Sequence, residues 1–377
     1  MIYMDNAATM PMKEVAIQEM QRCIKEVYAN PSAAYRLASK ARSEVHNART
    51  EIAKCIGADT EEIIFTSSGS EANSLAIQGY VNAVSSKGNH IIVSTIEHSS
   101  VLENIKRLQR QGYIISYIKP DRDGIVSAEA IRSAICPDTI LVSVMYANNE
   151  IGSIQPIQEI GRLLKNTDIV FHTDAVAAAG YVDINVNRDN IDLLSVSGHK
   201  VGGAKGTGFL YKRKTVQIEP IILGGDQENG YRAGTENVAG IAAMRAAFVQ
   251  ACQTMENTIL LLRQKQQYMM ELLQREIPSV IINGSLKKRL PGNVHISIPG
   301  ISADRMLMYL DMEGICASSG SACMNKKHMP SYVMKEIGAE AYEAGTLRLT
   351  LSVENTKEDI EYVVDKIKKN LKACIIR

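Results

Sequence analysis

Short apolar segments alternate with amphipathic ones between residues 61 and 213, and this alternation limits the possible fold more than any other feature. Seven segments have the composition of buried strands, namely 61–68, 90–96, 113–119, 140–147, 169–175, 192–198 and 208–213. Helical periodicity lies between several of them, at 71–86, 98–112 and 157–166. Strands and helices that alternate in this way form a largely parallel sheet covered by helices. The sequence therefore predicts an α/β protein with a large, mainly parallel sheet.

The pattern changes after residue 236. A long helical run reaches Glu276 and is stopped by Pro278, and further strands are predicted at 293–298 and 347–352. Thr356 followed by Asp359 is a capping-box signature that opens a last helix. We predict a large domain and a smaller α+β domain. The predicted boundaries are 15–255 for the large domain and 256–377 for the small one, which residues 1–14 join.

Charge and composition exclude several classes of protein. Lys and Arg number 42 and Asp and Glu number 41, so the formal net charge of +1 indicates no basic surface for nucleic acid. The apolar runs are far shorter than the roughly 18 residues that a membrane span requires. The first residues, MIYMDNAAT, do not resemble a signal peptide, and the seven cysteines lack the spacing of metal ligands. These features predict a cytoplasmic protein without a metal site, a membrane segment or a nucleic-acid partner.

A loop of small residues, TSSGSEAN (66–73), follows a predicted strand and opens a predicted helix. Unpaired backbone N–H groups and the positive end of the helix dipole can hold a phosphate at such a place. Serine and glycine before a helix are also ordinary capping residues. The loop alone therefore predicts a phosphate site only weakly.

Two further residues strengthen that interpretation. Asp174 ends a predicted strand, where open α/β sheets bind ligands, and Lys200 follows the next predicted strand. A lysine in such a setting can form a Schiff base, and a carboxylate can keep a pyridine nitrogen protonated. A lone lysine after a strand is usually a solvated cation. Together with the phosphate loop, however, the pair favours pyridoxal 5'-phosphate (PLP) chemistry.

Nine motifs in a fixed order extend the argument to nearly the whole chain. They are DNAAT (5–9), SGSEAN (68–73), EHSSV (97–101), NNEIG (148–152), HTDA (172–175), SGHK (197–200), RAGTEN (232–237), SSGSAC (318–323) and LRLTLS (347–352). In these motifs the chain resembles the cysteine desulfurases of the NifS/IscS type, which are class-V aminotransferases. The resemblance implies a PLP-dependent transferase of fold type I, similar to aspartate aminotransferase, that works as a homodimer.

The resemblance also implies roles for individual residues. Lys200 would carry the cofactor, Asp174 would pair with its ring nitrogen, and His98 would lie against the ring face and take part in catalysis. Asn149 would orient substrate and cofactor, although an Asn–Asn pair is as often a simple turn. The phosphate would be held by Gly69, Ser70, Ser197 and His199, with Thr235 contributed by the neighbouring subunit.

Cys323 is the residue that the resemblance makes specific for sulfur chemistry. It lies in a Ser/Gly/Ala stretch, and its thiolate would take the sulfur of L-cysteine as a persulfide and leave L-alanine. Arg348 would bind the substrate carboxylate through its two-pronged guanidinium. The sulfur would then pass to an acceptor protein, such as an iron–sulfur scaffold. Cys316, seven positions earlier, is the rival thiol.

Three positions depart from the family pattern, and two alternatives stay open on the sequence alone. Ala177 stands where glutamine is usual, Asp226 where a third glycine is usual, and Asn229 where arginine is usual. Another fold-type-I enzyme, such as a selenocysteine lyase or an aminotransferase, would share Lys200 and Asp174 without requiring Cys323. A PLP-binding scaffold with weak turnover would tolerate the three replacements.

Overall fold

The computed structural model describes residues 1–320 and 331–376, apart from the side chains of residues 342 and 343. Cys323 therefore lies outside the described residues. The strands are Ile2–Tyr3 (β1), Ile63–Thr66 (β2), His90–Ser94 (β3), Ile114–Ile118 (β4), Thr139–Ser143 (β5), Val170–Asp174 (β6), Leu193–Ser197 (β7), Gly208–Lys212 (β8), Ile281–Ile282 (β9), Asn293–Ser297 (β10), Ile315–Cys316 (β11) and Thr346–Thr350 (β12).

The α-helices pack on both faces of the sheet and continue in the second half of the chain. They are Glu14–Glu26 (α1), Arg36–Cys55 (α2), Gly69–Ser74 (α3), Tyr80–Ala83 (α4), Ser99–Arg110 (α5), Ala128–Ala134 (α6), Ile157–Leu164 (α7), Val238–Gln253 (α8), Met255–Glu276 (α9), Ala303–Met312 (α10), Tyr332–Glu336 (α11) and Lys357–Asn370 (α12).

Seven strands form the central sheet, in the order β2-β8-β7-β6-β5-β3-β4. Strand β8 is antiparallel to both of its neighbours, and the other strand pairs are parallel. All seven predicted strands are confirmed. Alternate residues enter opposite cores: Ile92 and Val142 lie in one cluster, and Ile91, Val93 and Leu141 lie in the other. Strands such as β3 and β5 are buried at every residue, so their apolar residues follow one another without strict alternation.

Two of the predicted helices are interrupted. The segment predicted at 71–86 forms α3, a π-helical turn at Leu75–Gly79 and then α4. The long helical run that ends at Glu276 is broken at Thr254 into α8 and α9. Helix α8 packs in the core of the large sheet, whereas Leu262 and Leu273 of α9 pack in a separate core.

That separate core is built on a small antiparallel sheet of order β12-β10-β9. Met4 lies in it, and β1 pairs in parallel with β11, so the N-terminal segment packs with the C-terminal part of the chain. The capping box of Thr356 and Asp359 at the start of α12 is confirmed. The division at residues 255 and 256 stays a prediction. Among the described residues, no helix combines the length and apolarity needed to cross a bilayer.

Candidate active site

A cavity of about 190 Å³ lies at the carboxyl ends of β6 and β7. Asp174 is the last residue of β6, and Ser197 ends β7 just before a 3-10 turn that carries Lys200. Nine of the predicted site residues line this cavity. The lining residues are Ala7, Ala8, Ser68, Gly69, Ser70, Asn73, His98, Ser100, Met145, Asn149, Asp174, Val176, Ala177, Ser197, His199, Lys200 and Arg348.

One end of the cavity is a cradle of small and neutral groups. The Ser68 side chain caps α3 by accepting a hydrogen bond from the Glu71 N–H at 3.1 Å. Gly69 follows it, and a Cβ atom there would lie 2.5 Å from Cγ2 of Val176, so any larger residue would force the Val176 side chain to move. Burial, together with the positive charges of Lys200 and Lys205, lowers the pKa of His199 to about 4. At neutral pH this wall therefore offers a neutral imidazole beside the first turn of α3.

Asp174 is held by two donors and is 4% exposed. One carboxylate oxygen accepts from Nδ2 of Asn73 at 2.7 Å, and the other accepts from the Val176 N–H at 2.9 Å. Since both partners are neutral donors, they orient the carboxylate without supplying a compensating positive charge. The group is therefore suited to pair with a cationic ring nitrogen in the cavity.

The same Asn73 amide reaches His98 through Ser100. Nδ2 of Asn73 also donates to Oγ of Ser100 at 2.9 Å, and that hydroxyl lies 2.8 Å from Nδ1 of His98. The Ser100 N–H donates to the same Nδ1 at 3.1 Å, so His98 is the N-cap of α5. A backbone N–H can only donate, so Nδ1 must accept and the ring proton of the neutral imidazole lies on Nε2.

Lys200 and Arg348 both contact the N-terminal segment. Nζ of Lys200 donates to the carbonyl of Ala8 at 2.9 Å and also to the carbonyl of Ala7. Nη2 of Arg348 donates to Asp5 at 2.8 Å, and Nη1 donates to the carbonyl of Asn149 at 3.1 Å. Ala7 and Ala8 line the cavity, and Asp5 lies behind them in contact with the lining residue Arg348.

Glu97 is fully buried next to His98 and is an ionisable group that the sequence analysis did not single out. Oε1 accepts from the Met145 N–H at 2.7 Å and from the Ser94 hydroxyl. Oε2 has no hydrogen-bond partner within the part of the chain that the structure describes. Burial raises the pKa of Glu97 to about 8, the two donors oppose this, and the charge of Asp174 adds to it.

Replacing Glu97 by glutamine should remove a pH dependence of stability. Between the ordinary value of 4.5 and about 8, the folded protein holds a proton on Glu97 that the unfolded chain has released. The free energy of unfolding of the wild type should therefore fall as pH rises through this window, relative to Glu97→Gln, by at most ~1.4 kcal/mol per pH unit. Urea unfolding between pH 5 and pH 9 measures this difference.

The exposed Glu103→Gln is the control for that measurement, because Glu103 is 66% exposed and forms only a surface pair with Lys106. Its free energy of unfolding should follow that of the wild type at every pH. A difference between Glu97→Gln and the wild type that does not change between pH 5 and pH 8 would show that Glu97 is ionised throughout.

Thr235 does not line the cavity of its own chain and is exposed. Its motif nevertheless contacts the cradle, because Nε of Arg232 donates to Glu71 in the first turn of α3 at 2.9 Å. The structure thus brings together every predicted site residue except Thr235 and Cys323. Cys316 is half-buried on β11.

The departure at Asn229 has a local structural reason, whereas nothing in the structure explains Asp226, whose φ is −83°. Glu228 and Asn229 both have positive φ, 49° and 54°, in a 3-10 turn at Gln227–Gly230. Asparagine tolerates this conformation better than most residues. The turn is held by the Glu228 carboxylate, which pairs with Arg49 at 2.7 Å and accepts from the Phe65 N–H at 2.8 Å. Ala177 lines the cavity, and its methyl group can make no hydrogen bond there.

Four residues of the site were missed in the sequence analysis: Asp5, Asn73, Glu97 and Ser100. Each lies inside a motif that was quoted, and the place of Ser100 in the first turn of α5, two residues after the N-cap His98, was the clearest local signal. The Asp5–Arg348 contact joins residues 343 positions apart, so no local pattern could have indicated it.

The residues present fit PLP. Gly69 and Ser70 of the first turn of α3 line the cavity together with Ser197, so small polar groups at a helix start are placed to hold a phosphate. Asp174 suits the ring nitrogen, and Lys200 lies in the same cavity. In Arg348, Nε is buried and has no hydrogen-bond partner among the described residues, so a donor is available for a ligand.

Comparison with known proteins identifies the family to which this chain belongs. The family model described as Aminotransferase class-V matches residues 2–363. A relative from Dictyoglomus turgidum named cysteine desulfurase IscS is 43% identical over 369 residues, which is 98% of this chain and 94% of the relative. The chain thus belongs to the class-V aminotransferases. Within that family it is a cysteine desulfurase of the IscS type, as the sequence analysis predicted.

Solved structures agree with this assignment. One described as a NifS-like protein has a TM-score of 0.93 and 31% identity, with 99% of each chain covered. Another, described as SspA in complex with cysteine, has a TM-score of 0.83 and 34% identity and covers 94% of this chain and 100% of the other. The predicted α/β architecture of fold type I is confirmed. The alternative of a different PLP enzyme or of a scaffold is not favoured.

Proposed function

We propose that the cavity binds PLP and that the protein converts L-cysteine to L-alanine, with the sulfur held as a persulfide on Cys323. The observation that carries this proposal is the convergence of Lys200, Asp174, His98, Arg348 and the cradle on one cavity. Cysteine as the substrate agrees with the structural neighbour that is described as a complex with cysteine.

Each wall of the cavity suits one part of the cofactor. Gly69, Ser70, Ser197 and His199 would hold the phosphate, Asp174 the ring nitrogen and Lys200 the aldehyde carbon. When bound, PLP supplies an electron sink that stabilises negative charge at the substrate Cα. Thr235 would complete the phosphate site of a second protomer, so we propose a symmetric homodimer as the active form.

His98, Lys200 and Arg348 would have separate roles towards the substrate. The neutral ring of His98 carries its proton on Nε2, so it can donate a hydrogen bond from that atom. Lys200, held by the carbonyls of Ala7 and Ala8, would supply the amine that holds the cofactor and the base that takes the proton from the substrate Cα. Arg348 would bind the substrate carboxylate through the N–H groups that Asp5 and Asn149 leave available.

Sulfur transfer to Cys323 balances without an external oxidant. The Cys323 thiolate attacks the sulfur of the substrate, the Cβ–S bond of the substrate breaks, and its electrons go to the carbon skeleton that becomes alanine. In sum, one thiol and one L-cysteine give one persulfide and one L-alanine. The persulfide sulfur would then pass to an acceptor thiol, for which we propose a protein of iron–sulfur cluster or thio-cofactor synthesis.

The purified protein should show the visible absorption of bound PLP and should form L-alanine from L-cysteine, with sulfide released when a reducing thiol is present. On the same sample, absorption spectroscopy measures the bound cofactor and an alanine assay measures the activity. Sedimentation shows whether the protein is a dimer. D-Cysteine is the matched control, because the carboxylate on its inverted Cα would not reach Arg348 in the same pose. A protein that binds PLP but forms no alanine would contradict the proposed reaction.

A further inference from the structure

Asp5 forms an ion pair with Arg348, which lines the cavity. Oδ1 of Asp5 accepts from Nη2 of Arg348 at 2.8 Å, and the two side chains are 17% and 1% exposed. The second oxygen, Oδ2, accepts from the Ser318 hydroxyl at 2.8 Å. The guanidinium thus carries a carboxylate of the protein before any substrate carboxylate arrives.

A substrate or product carboxylate on the same guanidinium would meet the charge of Asp5. Two carboxylates on one guanidinium lie within roughly 5 Å of each other. At an effective dielectric constant of about 20, unscreened repulsion at that distance corresponds to roughly 250-fold in binding. Because Asp5 is partly exposed, solvent screening reduces the expected effect to about 10- to 100-fold. A ligand that displaced Asp5 from Nη2 would have to break the ion pair. Whether a carboxylate ligand binds beside Asp5 or displaces it, Asp5 therefore weakens the binding of that ligand.

The opposite effect, in which Asp5 strengthens binding by orienting Arg348, depends on a hydrogen bond more than on charge. Asparagine at position 5 keeps an oxygen that can accept from Nη2. The segment is also held independently of this charge, since Nδ2 of Asn6 donates to the Thr350 carbonyl at 2.8 Å and the Ala7 N–H donates to the Thr350 hydroxyl at 2.9 Å. Replacement by asparagine thus removes the charge and retains the geometry.

We propose that Asp5 is a positioning residue that neutralises Arg348 and thereby keeps the binding of substrate and product carboxylates weak enough for product release. The inference rests on the proposed function, in which Arg348 binds the α-carboxylate. It concerns the carboxylate subsite only and predicts selectivity by charge. Asp5 weakens the binding of ligands that carry a carboxylate and does not affect the binding of amines that lack one.

Asp5→Asn in the holoenzyme should bind L-alanine about 10- to 100-fold more tightly than the wild type. Ethylamine, which lacks the carboxylate, should bind both proteins equally. The change in visible absorption of the bound cofactor measures both dissociation constants. In turnover, KM for L-cysteine should fall while kcat does not rise, because the added binding is shared by ground state and transition state.

Two controls separate charge from structure. Asp59→Asn removes an equal charge from the exposed Asp59–Lys214 pair and should leave the alanine constant unchanged. Ser318→Ala removes the other partner of Asp5 without changing charge, and should also leave it unchanged. If Asp5→Asn loses cofactor, excess PLP is added to keep it loaded, and the rise in Tm on adding L-alanine to the loaded variant should exceed that of the loaded wild type.

Weaker alanine binding by Asp5→Asn, or equal shifts for alanine and ethylamine, would overturn the inference. Failure of the proposed function has a different signature, since the wild type would then form no alanine from cysteine. A further variant, Arg348→Gln, tests the subsite itself. If it binds L-alanine as the wild type does, the assignment of Arg348 is wrong, whatever Asp5→Asn shows.

Discussion

Replacing Cys323 by serine should abolish alanine formation while the cofactor remains bound. The residues proposed to hold PLP and the substrate, including Lys200, Asp174 and Arg348, are unchanged in this variant. A serine hydroxyl is hardly ionised at neutral pH and cannot accept sulfur as a persulfide, so turnover should fall by roughly 1,000-fold or more. Alanine assay, together with the visible spectrum before and after addition of L-cysteine, measures the two effects separately.

Cys316→Ser is the matched control, because Cys316 is the nearest other cysteine in the sequence and pairs with β1 at Tyr3. It should retain alanine formation. Mass spectrometry after treatment with L-cysteine should find the extra sulfur on the peptide that contains Cys323. Extra sulfur on Cys316, with Cys323→Ser still active, would show that the assignment of the acceptor thiol is wrong.

The fold could be predicted well because its signals are local. Strands such as β3 and β5 are buried on both faces and read as continuous apolar runs, and the β-strand and helical periods alternate along the chain. The helix interruptions were not predicted. The break at Thr254 separates two helices that belong to different cores, and only the tertiary packing of Leu262 and Leu273 distinguishes them.

The candidate site was predictable where its chemistry lies at the ends of elements. Asp174 ends β6 and Lys200 follows the adjacent parallel strand β7, and the carboxyl ends of these strands must meet at one edge of the sheet. Contacts across the chain could not be predicted in this way. Asp5 meets Arg348 only because the N-terminal segment packs on the small sheet, and Asn73 meets Asp174 because α3 lies against the end of β6.

The departures from the family pattern are also informative in physical terms. Asn229 has a left-handed backbone conformation, which asparagine tolerates better than most residues, so asparagine suits this turn. Ala177 lacks any polar atom, and the hydrogen bond lost to a cofactor oxygen is worth about 0.5–1.5 kcal/mol. This is small beside the ion pairs and the phosphate cradle of the same cavity, so we expect Ala177 to tune the cofactor and not to prevent its binding.

Replacing Lys200 by alanine should remove both the covalent attachment of PLP and the amine proposed to move the α-proton. Borohydride reduction of the wild type should fix the cofactor to residue 200, and the same treatment of Lys200→Ala should leave no labelled peptide. Because the phosphate cradle and Asp174 remain, PLP should still bind noncovalently and be lost on gel filtration. Turnover should fall by roughly 1,000-fold or more, since one side chain serves two steps.

Lys205→Ala is the control for this experiment, because Lys205 is exposed, lies five residues further on and also contributes positive charge near His199. It should keep the borohydride-reducible adduct at Lys200. Ethylamine added to Lys200→Ala should restore part of the lost alanine formation, because a free amine can take the α-proton in the space that the side chain leaves. Rescue would show that the cavity is intact and that proton transfer was limiting; an adduct at another lysine of the wild type would instead show that Lys200 is not the attachment site.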